Sequence, residues 1–285
     1  MFGTTLVVLL GAAVYGIFRS FEHIAQPPPP PGCQAGTGAQ ALQLDTDQAG
    51  IAATIAGVAA RHKLPRRAVT VAYAAALQES QMHNLTYGDR DSVGVFQQRP
   101  SQGWGTASQL TDPVYATTRF FAALVTVRGY AKLPVDQAAQ AVQHSADGSA
   151  YQQFAQVAAQ LSGYFTGAAP HEVSCWYTPD GKADLTGAVR GMTQAFGPDG
   201  DGTMTVRITT VRSGQKKTSA AVVHAQQDLA WTVAGWLVAH AEVYGITQVR
   251  YASYYWNAAQ GTMGWQREPP TQGSGGLARN TIVAG

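Results

Sequence analysis

Residues 79 to 105 read Glu79-Ser-Gln-Met-His-Asn-Leu-Thr-Tyr-Gly-Asp-Arg-Asp-Ser-Val-Gly-Val-Phe-Gln-Gln-Arg-Pro-Ser-Gln-Gly-Trp-Gly105. Glycines, aromatic rings, amides and hydroxyls crowd the stretch, and one carboxylate opens it. Such a composition suits sugar binding, because rings stack on sugar faces while amides and hydroxyls bond sugar hydroxyls. Upstream, Arg66 to Ser80 carries Val69, Ala72, Tyr73, Ala76 and Leu77 at helical spacing. Pro65 stands at the start of that helix, where a missing N–H costs nothing. Glu79 follows Ala76 by three residues and Ala72 by seven, so it leaves the apolar edge of the helix near its C-terminus. A carboxyl placed there is a candidate general acid. The plainer reading is an exposed glutamate in a helix's last turn.

Glu79-Ser80 followed by Ser92-Val-Gly-Val-Phe-Gln97 resembles the E-S … S-x-G-x-x-Q core of the lysozyme-like, lytic transglycosylase (SLT) superfamily. Asp112-Pro-Val-Tyr-Ala-Thr-Thr-Arg-Phe-Phe-Ala-Ala-Leu124 resembles the helix that comes next in that superfamily. Leu77 to Thr106 is similar to the lysozyme-like, membrane-anchored proteins of actinobacteria. The resemblance covers residues 45–165. It implies a mainly helical lysozyme-like fold with a small β-like excursion around Val93 to Phe96. It also implies cleavage of the β-1,4 glycosidic bond of peptidoglycan, with Glu79 catalytic and Ser80, Tyr87, Ser92, Gly94 and Gln97 as substrate contacts. The superfamily's A-Y-N-x-G motif is replaced here by Ala141-Val-Gln-His-Ser145. Gln143 and His144 are the polar residues at that place, Gln143 as a substrate contact; the plain reading of His144 is a surface histidine.

The glycosidic reaction passes through an oxocarbenium-like transition state, so one positioned acid helps greatly. An inverting hydrolase also needs a second carboxylate ~6.5–9.5 Å away, for which Asp89 and Asp91 are the loop's candidates. They flank Arg90, so a turn cap or structural salt bridge is their alternative role. A lytic transglycosylase needs no second carboxylate, because a hydroxyl of the sugar itself attacks. The rival function is non-enzymatic: a membrane-anchored peptidoglycan-binding or envelope-assembly protein.

The chain has 285 residues, enough for about two domains. Nineteen Lys and Arg against seventeen Asp and Glu give a net charge of +2, and no basic block occurs, which excludes an electrostatic nucleic-acid binder. Apolar residues make up 45%, enough for a core. Phe2 to Phe18 is uncharged and mostly apolar. As a helix of ~25 Å it would fall just short of a ~30 Å hydrocarbon core. It reads as a transmembrane anchor; a secretory signal peptide and a core helix are the alternatives. Pro27 to Pro31 is a polyproline spacer.

Helices are expected from about Asp45 to Arg61 and over about 113–127, 135–146 and 151–164. Gly167-Ala-Ala-Pro170 reads as a hinge. Beyond it, Thr203 to Arg212 alternates as a strand, Gln226 to Tyr244 is helical up to Gly245, and Ile246 to Tyr251 is a second strand. Trp231 to Trp265 weakly resembles a C-terminal domain of actinobacterial envelope proteins, itself similar to zinc D-Ala-D-Ala peptidases. The H-x6-D and H-x-H ligands are missing, so no metal and no cofactor are expected. Pro198-Asp-Gly-Asp-Gly-Thr203 lacks the glutamate an EF-hand needs at its twelfth position, and reads as a glycine-rich turn.

The expected architecture is therefore a transmembrane helix (2–18), a Pro-rich stalk (19–44), a mainly-α lysozyme-like domain (45–165), a hinge (166–174) and a small α/β or α+β domain (175–285). The expected location is the cell membrane, single-pass, with the globular part outside the cytoplasm and peptidoglycan strands as partner. Cys33 and Cys175 are the chain's two cysteines and belong to no CxxC. One precedes the first domain and the other follows it, and an extracytoplasmic setting permits oxidation, so they are expected to pair.

Overall fold

Asp45 begins the helical part. Its side chain accepts from the Gln48 backbone N–H while the Gln48 side chain accepts from the Asp45 N–H, and this capping box starts α1 (Thr46–Arg61). Nearly every residue from Ala49 to Ala59 in α1 is buried, so the helix is enclosed on all sides. Its small residues permit close approach: a Cβ on Gly57 would lie 3.1 Å from the Ala195 side chain. The chain then enters α2 (Arg66–Ser80), whose N-cap is Pro65. Gln81 and Met82 stop α2 in left-handed conformations, with φ of 54° and 63°.

The structure is a computed structural model that describes residues 29–143, 148–198, 204–213, 216–225, 229–268 and 281–285. The expected anchor at 2–18, His144 and most of the Pro198–Thr203 turn lie outside the described residues. Pro31–Gly285 is one compact unit. After α2 come α3 (Ala107–Leu110), α4 (Pro113–Leu124, capped by the Asp112 carboxylate), α5 (Val135–Gln143) and α6 (Ala155–Phe165). Gly148–Phe154, just before α6, is 3₁₀ helix. Helices α5 and α6 pack on α2, and α4 packs on α1.

The expected fold class is corrected: the molecule mixes helix with two antiparallel sheets. The first sheet takes β1 (Gly32–Ala35) and β2 (Leu42–Leu44) from the stretch expected to be a stalk, and β3 (Val173–Trp176) from beyond the helices, in the order β2-β1-β3. The second takes β4 (Met204–Ser213), β5 (Lys216–Ala225), β6 (Gln248–Tyr251), β7 (Tyr254–Asn257), β8 (Gln266–Arg267) and β9 (Thr281–Ala284), in the order β4-β5-β9-β6-β7-β8. All of its pairings are antiparallel, so the crossover α/β alternative does not hold. Three further helices, α7 (Leu185–Phe196), α8 (Ala230–Ala239) and α9 (Ala241–Tyr244), complete the fold.

Helix α1 packs on α7 and α8 as well as on α2 and α4. One hydrophobic cluster therefore runs from Cys33 to Ala284 and joins the helical part to the sheet part. No helix among the described residues is long and apolar enough to cross a membrane.

Cys33 and Cys175 form the expected disulfide. They face each other in the β1–β3 register, with Cα atoms 3.9 Å apart, and both are buried. The bond closes a separation of 142 residues.

Candidate active site

Helix α2 delivers Glu79 half-buried in its last turn. The Tyr151 hydroxyl donates to Glu79 Oε1 at 2.6 Å. Tyr151 is only 1% exposed, so the acceptor it grips is fixed by a side chain that is itself fixed. Tyr151 sits in the 3₁₀ turns before α6, and α6 packs on α2, which explains how residues 72 apart meet. Sequence reasoning missed this residue. The pairing has no local spacing to betray it, because it depends on how two helices cross.

The loop after α2 is held by its own polar groups. The Ser80 hydroxyl is buried and donates to the carbonyls of Val95 at 2.7 Å and Ala76 at 3.1 Å, which fastens the loop to the end of α2. The expected excursion is a tight turn closed by one antiparallel bridge, Val93 with Gln98. Gly94 adopts φ of 79°, and a Cβ there would meet the Leu110 carbonyl oxygen at 2.1 Å, so only glycine fits. The Gln97 amide donates to the carbonyls of Tyr87 and Gly94, both at 3.2 Å. Gln97 Oε1 lies against Gly88, where a Cβ would come within 1.8 Å. The Gln143 amide donates to the Phe96 carbonyl at 2.8 Å and ties α5 to the same loop.

Five of the six expected substrate contacts thus serve the loop's construction. Ser80, Gln97 and Gln143 bond backbone carbonyls, Ser92 is buried with its N–H on Asp89, and Gly94 clears space. Tyr87 is different: it is 71% exposed, a ring open to a stacking partner. Glu79, Gln143, Tyr151 and the Val95–Phe96 turn are brought together through the contacts of Ser80 and Gln143.

The two loop aspartates part ways. Asp91 accepts from the Ser101 N–H at 2.7 Å, from Arg99 Nε at 2.7 Å and from the Ser101 hydroxyl at 3.0 Å. These bonds, the Ser101 N–H foremost and the Arg99 guanidinium next, hold its carboxyl well below the usual carboxylate range. Asp91 is a brace between the two limbs of the loop. Asp89 is almost fully exposed, 3.9 Å from Arg90, in a turn where Arg90 takes φ of 57°. At the far end of the loop, Tyr115 and Arg119 from α4 both donate to the Trp104 carbonyl.

No group of three or more His, Cys, Asp or Glu side chains among the described residues gathers as a metal site would. No protein-family model matches the chain, and no curated protein matches it either.

Proposed function

We propose that this protein cleaves the glycan strands of peptidoglycan, with Glu79 as the acid. The observation that carries the reading is the Tyr151–Glu79 hydrogen bond: one carboxyl oxygen is held at 2.6 Å by a buried phenol, beside a rigid loop that presents an exposed ring. Holding Oε1 orients Oε2, which is the arrangement a proton donor needs. In the reaction, Glu79 gives its proton to the glycosidic oxygen as the C1–O bond breaks. The leaving sugar departs as an alcohol, and positive charge develops on the ring.

The occupied state of Asp91 removes one of the two candidate second carboxylates and leaves only the exposed Asp89, which favours the transglycosylase version. A carboxylate engaged by three donors and kept far below neutral is a poor base for activating water. In the transglycosylase route the sugar's own hydroxyl attacks C1 and returns its proton to Glu79, which restores the acid and leaves an anhydro-sugar end. The disulfide supports a setting outside the reducing cytoplasm. Digestion of purified cell-wall glycan tests the reading: anhydro-ended fragments are expected, free reducing ends would mean hydrolysis, and absence of any fragment would overturn it.

The non-catalytic reading has one observation in its favour. Gln143, at the place of the family's sugar-facing motif, is turned to a backbone carbonyl. Glycan pull-down without cleavage would select it.

A further inference from the structure

The turn between α1 and α2 reads Arg61-His-Lys-Leu-Pro-Arg-Arg67, and all of it except Leu64 and Arg67 is exposed. The Arg67 guanidinium donates to the Leu133 carbonyl, which seats the loop after α4 against this turn. That loop adds the exposed Arg128 and Lys132. Six cations therefore gather at one end of the helical part, although no stretch of the sequence is a basic block by itself. Little opposes them. No acidic residue occurs from 48 to 78, and Asp136 is the one acid from 113 to 143. Among the described residues none of the six cations forms an ion pair.

A mostly apolar groove of about 260 Å³ opens beside these charges. His62 and Leu64 form one wall, and Thr118, Phe121, Ala122 and Val125, from α4 and its C-cap, form the other. Val125 is 50% exposed. Exposed aliphatic surface edged by cations matches a partner that has anionic heads and apolar chains. A free phosphate or an acidic polymer would answer the charges and leave the apolar groove unfilled, whereas an anionic lipid answers both. The stretch Phe2 to Phe18, which reads as a membrane anchor in the sequence, would hold the chain close to such a surface.

We propose that this face docks on a bilayer rich in anionic lipid, with Arg61, Lys63, Arg66, Arg128 and Lys132 against the phosphates and Leu64 and Val125 at the acyl boundary. The face lies at the start of α2 and Glu79 at its end, about 20 Å away at ~1.5 Å per residue. Docking therefore leaves the loop beside Glu79 free, and the inference does not rest on the role given to that residue.

Hydrogen exchange of the full chain tests this, on vesicles of phosphatidylcholine alone and on vesicles with about 30% phosphatidylglycerol. Amides of residues 61–67 and 125–132 are expected to gain protection on the anionic vesicles only. The protection should vanish near ~1 M salt, where the Debye length is about 3 Å. The ratio of partition coefficients onto the two vesicles cancels whatever residues 2–18 contribute to both. Each cation near an anionic surface contributes about fivefold, so Lys63→Gln combined with Lys132→Gln should lower that ratio about 25-fold with an unchanged melting curve. If the pair disturbs the fold, Arg128→Gln alone decides, with an expected loss of about fivefold. Equal protection on both vesicles, no protection on the anionic ones, or an unchanged ratio in the variants would overturn the proposal. Stronger protection of the same amides by a soluble polyglutamate peptide would make the partner an acidic polypeptide and overturn it as well.

Discussion

The Tyr151 hydroxyl holds one oxygen of Glu79, which stands half-buried in the last turn of α2. Tyr151→Phe removes that bond while keeping the buried ring. A hydrogen bond to a charged partner is worth about 1.5–3 kcal/mol, so glycan turnover is expected to fall roughly 10- to 100-fold. The loss should appear in kcat more than in KM, since orientation of the acid matters most in the transition state. An unchanged kcat would show that Glu79 needs no such support. His240 makes a different prediction. Its folded value of about 4 lies below the ordinary 6.5, so at falling pH the unfolded chain takes up a proton that the folded chain refuses. Its contribution is fully present above pH 6.5 and is lost as pH falls toward 4. His83 runs the opposite way, raised by Asp45 despite its burial, so the two must be separated by difference. Urea unfolding of wild type and His240→Asn should diverge least at low pH, the gap shrinking by on the order of 2–3 kcal/mol between pH 7 and pH 4. A pH-independent gap would contradict a half-buried imidazole held neutral in the fold.

At the scale of elements, the loop from Ser80 to Gly105 behaves as a built part with few free choices. Gly94→Ala combines a positive φ with a Cβ driven into the Leu110 carbonyl, and should destabilise the protein by more than about 1 kcal/mol in chemical denaturation. A neutral effect would mean the turn is looser than its geometry. The Cys33–Cys175 bond crosses the β1–β3 pairing. Closing so long a loop yields about 5 kcal/mol in the chain-entropy model, and 2–4 kcal/mol is the usual measured range. Replacing both cysteines by serine should therefore lower stability by roughly 2–4 kcal/mol, and quantitative thiol labelling of the native protein would refute the bond outright.

Helices with caps were legible. Asp45, Pro65, Asp112 and Gly245 mark ends that the structure keeps. Strands without alternation were not. β5 is rich in Ala, Ser and Thr, β9 is four residues at the chain's end inserted between β5 and β6, and β1 hides in a small-residue stretch. Each is specified by its partners more than by its own pattern.

For the whole molecule, helix α1, buried without a break from Ile51 to Ala59, is the feature that changes the picture. A helix with a polar outer face would have closed off a separate helical domain. Here its second face is taken by α7 and α8, so one core serves both parts. Within the proposed site, the resemblance pointed to Glu79 and to the loop that Ser80 and Gln97 hold through backbone carbonyls. The division of labour inside the loop was invisible, because whether an amide faces a sugar or a backbone carbonyl depends on how the turn closes. The central claim is that Glu79 breaks glycosidic bonds, and it is tested most directly by muropeptide release from purified cell walls, wild type against Glu79→Gln. The glutamine keeps the shape and still accepts from Tyr151 but has no proton to give, so release should fall by roughly 10²-fold or more while the melting curve stays put. Equal release by the two proteins would contradict the account.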